Sequence, residues 1–208
     1  YYLTEMSVIA LEFGGTIDKY VGDAIVIFFG DPETSGVKDD ALKCVNMAIA
    51  MQNKMRELED QWAQKFGLRE PLQMRVGVNT GYCTVGNFGS EDRLDYTVIG
   101  GQVNLASRLE SIAKSGSILI SFDTHSQVSE DIECIEVESV QVKGIKEEVR
   151  VFEVVLEGPN KTEMINIETE NLQCSMDINR LGIKELDQLA KFIEDARQQV
   201  QGNEKKVE

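Results

Sequence analysis

The 208-residue chain is short of the groups that most hydrolytic chemistry relies on. Its one histidine, His125, lies alone in a predicted surface helix, so the sequence shows no Ser/His/Asp or Cys/His set, and it has no Walker-type phosphate loop. Cations are scarce: 21 Lys+Arg stand against 36 Asp+Glu, for a net charge of −15, and aromatic residues make up 7% of the chain. A field of that sign repels nucleic acid and anionic bilayers, which excludes a broad surface for either and leaves room only for a local basic pocket. The longest strictly apolar run, Ala24 to Phe29, is far below the roughly 20 residues that cross a bilayer, and no signal-peptide pattern opens the sequence. The four cysteines, Cys44, Cys83, Cys134 and Cys174, form no CxxC pair and with a single imidazole offer no zinc site. They read as reduced, mostly buried thiols of a cytoplasmic protein.

What is present is ordinary globular composition, 42% hydrophobic, enough for one core with an appendage. Residues 2–13 have amphipathic helical spacing closed by Gly14-Gly15, and Tyr1 falls inside that periodic segment, so the sequence is expected to start mid-protein. Thr16–Tyr20 and Ala24–Phe29 are β-prone runs around Val21-Gly22-Asp23, a hairpin with Asp23 at its tip. A long helix is expected from a cap at Asp39 or Asp40 to Phe66, with Trp62 on its apolar stripe. Leu72–Val78 and Tyr82–Val85 read as a second hairpin, followed by Gly86–Ser90 as a mobile loop. Tyr96–Ile99 is a short extended piece and Gln102–Ala113 a helix, with Asn104, Arg108 and Ser111 opposite its Leu105/Leu109/Ile112 stripe. A strand over 117–121, a helix over 123–129 and a hairpin around Lys143-Gly144 complete the run. This order predicts an α+β sandwich, a mostly antiparallel sheet with helices on one face, and becomes βαββαβ and ferredoxin-like if a strand precedes Tyr1. Residues 1–157 form the domain; 158–208 form a polar linker with a strand at Cys174–Ile178 and a helix at Leu186–Val200, too short for an independent core.

Polar residues fall where strands end or a helix face opens: Lys19 and Asp23 around a hairpin tip, Thr97 beside a glycine pair, Asn104 and Arg108 one turn apart, and Lys143 at another tip. Three cations, a carboxylate, a hydroxyl and an amide suit the handling of a triphosphate. Singly, each has a plainer reading: a solvated strand lysine, a turn-forming aspartate, a solvent-facing helix surface, a turn lysine.

The spaced blocks Phe13-Gly14-Gly15-Thr16-Ile17-Asp18-Lys19-Tyr20-Val21-Gly22-Asp23, Arg75-Val76-Gly77-Val78-Asn79-Thr80-Gly81, Asp95-Tyr96-Thr97-Val98-Ile99-Gly100 and Val103-Asn104-Leu105-Ala106-Ser107-Arg108-Leu109-Glu110 together resemble the catalytic domain of class III nucleotidyl cyclases over residues 1–156. The likeness is greatest to bacterial adenylate cyclases of the subgroup that pairs lysine with threonine and includes the bicarbonate-responsive soluble enzymes. The resemblance implies conversion of ATP to 3′,5′-cyclic AMP and pyrophosphate in composite sites of a head-to-tail homodimer. It implies that Asp23 is the second metal aspartate, binding two Mg²⁺ or Mn²⁺ ions per site with a first aspartate that lies upstream of Tyr1. Lys19 and Thr97 of the partner subunit would read adenine, lysine donating to N1 and threonine accepting from the N6 amino group, whereas guanylate cyclases typically carry Glu with Cys or Ser there. Asn104 would place the ribose, Arg108 would stabilise charge on the pentavalent α-phosphate, and Lys143 would hold the terminal phosphates. Sensor, receiver or membrane segments often precede such domains. The alternative is a cyclase-like module that binds nucleotide without turnover.

Overall fold

The computed structural model describes residues 1–90, 92–140, 148–156, 164–169, 172–177 and 189–194. The chain divides into two compact units, Tyr1–Leu156 and Glu157–Glu208. The first begins with α1 (Tyr2–Glu12), which turns at Gly14, whose φ of +80° places it in the left-handed region that glycine alone tolerates freely. The hairpin β1 (Thr16–Val21) and β2 (Ala24–Phe28) follows, antiparallel, with its turn at Gly22-Asp23. The register slips between Ile17 and Lys19, so Asp18 is an extra residue in β1, a β-bulge.

The long helix expected next is two: α2 (Val37–Glu57) and α3 (Glu59–Phe66). The break falls at Leu58, which is buried with Met6, Ala10, Met47, Met51, Met55 and Trp62 in a cluster between α1 and α2. Anchoring Leu58 and Trp62 in one cluster is better served by a bend than by a straight rod. The N-cap of α2 is Gly36 rather than Asp39 or Asp40; Asp40 sits in the first turn and accepts from the Ser35 amide and the Thr34 hydroxyl.

The central sheet runs β3 (Val76–Val78), β6 (Ile118–Ser121), β8 (Val149–Val154), β7 (Cys134–Val140), with β3–β6 parallel and the other ladders antiparallel. Its two faces follow from alternation along β6. Ile118 and Ile120 join Val78, Phe152 and Val154 against Ala41, Val45 and Ala48 of α2 and Val128 of α5 (Phe122–Val128). Leu119 points the other way and packs with Val151 on Leu105 and Leu109 of α4 (Gly101–Ile112). The α+β class stands, but helices cover both faces of these strands instead of one.

The second expected hairpin does not form. Only Val76–Val78 of the first run is strand, and it pairs with β6; the return strand is longer and pairs forward. That strand, β4 (Thr84–Ser90), includes Gly86–Ser90, read from its composition as a loop, and lies antiparallel to β5 (Arg93–Ile99) with Gly86 opposite Thr97. Ladder bonds from β5 compensate for the low strand propensity of those glycines.

In the second unit, β9 (Met164–Thr169) and β10 (Leu172–Asp177) form an antiparallel hairpin. β10 overlaps the strand expected near Cys174, while β9 lies in the stretch read as linker. Helical backbone is described at 189–194; the remainder of the helix expected over Leu186–Val200 lies outside the described residues.

Candidate active site

The residues of β3 set the position of the helix that carries Asn104 and Arg108. Alternation aims Val76 and Val78 at the α2 core and turns Arg75, Gly77 and Asn79 towards α4. A Cβ on Gly77 would lie 2.3 Å from both the Ala106 carbonyl oxygen and the Glu110 amide nitrogen, so glycine is what lets the helix backbone rest on the strand. Asn79 Nδ2 donates to the Gln102 carbonyl at 3.1 Å and to Gln102 Oε1 at 2.8 Å at the start of α4, and Arg75 pairs with Glu110 at 2.9 Å near its end. The Arg-x-Gly-x-Asn pattern is thus a seat for α4. Asn104 and Arg108, on the face away from that seat, are exposed, and among the described residues neither side chain has a hydrogen-bond or ion-pair partner.

Lys19 and Thr97 meet. The Lys19 ammonium donates to Thr97 Oγ1 at 2.9 Å, joining β1 to β5. Thr97 is 8% exposed, whereas the Lys19 side chain is half-exposed. A second tie holds the same seam: Tyr96 Oη donates to Asp31 Oδ1, and Thr16 Oγ1 at the start of β1 donates to the Asp31 carbonyl at 2.7 Å. The hydrogen bond to Asp31 raises the Tyr96 phenol above its ordinary pKa, with a smaller push from burial.

Sequence reasoning missed Asp18. Strict alternation would send Asp18 and Lys19 to opposite faces, but the bulge removes that alternation, and Asp18 Oδ2 lies 3.3 Å from Lys19 Nζ. The Asp18 side chain is 1% exposed, and among the described residues neither carboxylate oxygen has a hydrogen-bond partner. A bulge leaves no mark in a single sequence; an acidic residue beside a candidate ligand-reading lysine was the one available signal.

Asp23 sits at the exposed β1–β2 turn. Burial above all, and then the negative charges of Asp23 and Glu110, push the Tyr2 phenol up. The Asp23 carboxylate is a hard oxygen donor of the kind a divalent cation takes, but among the described residues no group of three His, Cys, Asp or Glu converges on a cation site. Lys143 lies outside the described residues. His125 is accounted for structurally: its ring stacks on Phe152 at 3.8 Å between centroids. Among the described cysteines, Cys83 is exposed, against the expectation of mostly buried thiols; burial pushes the Cys44 thiol up to about 12. Among the described residues no helix is long and apolar enough to cross a membrane.

Residues 12–156 match the family model described as adenylate and guanylate cyclase catalytic domain. The chain belongs to that family. It is 37% identical over 149 residues to the terminal-differentiation-specific adenylate cyclase of Dictyostelium discoideum, a match covering 69% of this chain and 7% of that protein. It is 35% identical over 164 residues to an adenylate cyclase of Anabaena cylindrica, covering 74% of this chain and 30% of the relative. It thus spans a minor part of these curated relatives. Among solved structures, the adenylyl cyclase CyaB from P. aeruginosa superposes with a TM-score of 0.71 at 53% identity, covering 74% of this chain and 78% of that one. The guanylyl cyclase Cya2 superposes at 0.69 with 38% identity, over 83% and 81%. Cyclases of this family act as dimers on a nucleotide substrate and use divalent metal ions. Because similar structures include both adenylyl and guanylyl cyclases, overall likeness does not choose the base; the residues at the site must.

Proposed function

We propose that this chain is the catalytic domain of an adenylate cyclase that forms 3′,5′-cyclic AMP and pyrophosphate from ATP in composite sites shared by two copies. The observation that carries the choice of ATP is the Lys19–Thr97 pair, held at 2.9 Å. Adenine offers an acceptor at N1 and a donor at its N6 amino group, which complement an ammonium and a hydroxyl oxygen; guanine presents a donor at N1 and an acceptor at O6. An ammonium has only protons to offer and cannot accept from guanine N1–H.

In the reaction the ribose 3′-oxygen gives its proton to solvent water and attacks the α-phosphorus, the new P–O bond closes the ring, and the bond to the β-phosphate oxygen breaks to release pyrophosphate. Asp23, with the upstream aspartate that the resemblance implies, would hold divalent ions, which when bound would supply Lewis-acid activation of that oxygen and charge neutralisation of the leaving group. Arg108, exposed and unpaired among the described residues, has its guanidinium available for the extra charge on the pentavalent phosphorus. Asn104, one turn earlier on the same face, orients the ribose, and Lys143 neutralises the terminal phosphates as a point charge.

The test is product formation from ATP with Mn²⁺, comparing this chain with one extended upstream through the strand and aspartate that the family resemblance implies. Cyclic AMP from the longer chain establishes the reading. Absence of product from both, with ATP still raising the unfolding temperature, replaces it with a nucleotide-binding module and removes the catalytic role of Asp23.

A further inference from the structure

We propose that Asp18 is a positioning residue for base selection, its buried carboxylate holding the Lys19 ammonium where it meets the purine ring. The inference rests on the adenine-reading role proposed for Lys19 and Thr97.

A carboxylate whose side chain is 1% exposed, with neither oxygen hydrogen-bonded among the described residues, is costly to keep in a fold. Among the described residues its one ion-pair partner is the Lys19 ammonium at 3.3 Å, and β1 spends a bulge, with loss of regular pairing at Asp18, to bring the two together. Replacing that side chain with a neutral one would relieve burial of charge, so stability does not explain it. Lys19 otherwise ends a flexible four-carbon stem whose head is half in solvent. With the Asp18 charge at 3.3 Å and Thr97 accepting one of its protons, the ammonium is drawn from two sides and keeps a proton for a ligand acceptor.

The experiment uses the active dimeric cyclase and compares kcat and KM for ATP and for GTP in wild type, Asp18→Asn, Lys19→Met and the double variant, alongside unfolding temperatures. Asp18→Asn is expected to lower the ATP:GTP ratio of kcat/KM about tenfold, chiefly through the KM for ATP, with kcat within about threefold of wild type. Its unfolding temperature is expected to hold or rise. Lys19→Met lowers the ratio by itself, and adding Asp18→Asn to it changes the ratio no further, because Asp18 acts through the lysine.

An unchanged ratio in Asp18→Asn, with Lys19→Met still lowering it, overturns the positioning role and leaves adenine reading intact. An unchanged ratio in Lys19→Met overturns both. A fall in unfolding temperature and activity without a change in ratio assigns Asp18 a purely structural part and overturns the proposal. Should Asp18→Asn fail to fold, Asp18→Ser is read by the same ratio.

Discussion

Lys19 Nζ and Thr97 Oγ1 are 2.9 Å apart although 78 positions separate the residues in the chain. Each group partly satisfies the other when no base is present, which keeps Thr97, buried at 8% exposure, from being left without a partner. On the adenine-reading role proposed above, a purine adds two hydrogen bonds beside this one, from a further ammonium proton and to the second lone pair of Thr97 Oγ1, and only a base with an acceptor beside an amino donor makes both.

The exchange of Lys19→Glu with Thr97→Cys inverts that pattern. An acceptor now faces the ring nitrogen, and the ATP:GTP ratio of kcat/KM should move towards GTP by roughly 10²-fold or more, since a site built on hydrogen bonds rejects a mismatched partner strongly. Competition between the two nucleotides in one assay measures it. An active double variant that keeps its ATP preference would end the assignment of these residues to base reading.

Arg108 is exposed and unpaired among the described residues, so its removal should leave the fold intact. Arg108→Ala is expected to lower kcat by about 10²–10³-fold while KM for ATP changes little, the signature of a contact made only in the transition state. Arg108→Lys should recover only part of the loss, because a point charge does not reproduce the planar fork. Steady-state kinetics with an unfolding curve for each variant decides this; an equal rise in KM would instead mark Arg108 as a ground-state phosphate contact.

Gly77 tests whether the seat of α4 matters to chemistry performed at its outer face. An added methyl at 2.3 Å from two backbone atoms forces α4 off the sheet. Gly77→Ala should cost about 1–3 kcal/mol of stability and lower kcat, since Asn104 and Arg108 ride on the displaced helix. Denaturant unfolding and kcat together make the check, and wild-type values for both would show that α4 is not seated through this contact.

Most of this architecture was legible in the chain. The first hairpin, the amphipathic stripes of α1, α2 and α4, and the turn at Asp23 each carry a local signal in periodicity or turn chemistry. What escaped was non-local. β3 pairs in parallel with β6, some 40 residues on, and β4 is a strand because β5 lies beside it; neither fact is written in Val76–Val78 or Gly86–Ser90 themselves. The Leu58 break depends on a cluster shared with α1, and the second helical face of the sheet depends on where Leu119 finds partners. At the site, residue types suggested Lys19 and Thr97 separately, but their contact, and the bulge that brings Asp18 to the same ammonium, are products of tertiary pairing.

The proposed sharing of each site between two chains leads to the last prediction. If Asp23 of one copy works with Lys19 and Thr97 of the partner subunit, a homodimer of Asp23→Ala chains has two dead sites, and a homodimer of Lys19→Met chains has two sites impaired towards ATP. A mixed dimer is different: one site collects both lesions and the other collects none. Equal mixing with free subunit exchange makes half of the dimers mixed, each with one intact site of two, so activity should return to about a quarter of wild type for the same total protein. Specific activity of the wild type should also fall on dilution as dimers dissociate. The measurement is a titration of one variant into the other, monitored by cyclic AMP formation. Activity that stays at the level of the separate variants at every ratio, under conditions where exchange is demonstrated, would mean that Asp23 and Lys19 serve the same site from one chain.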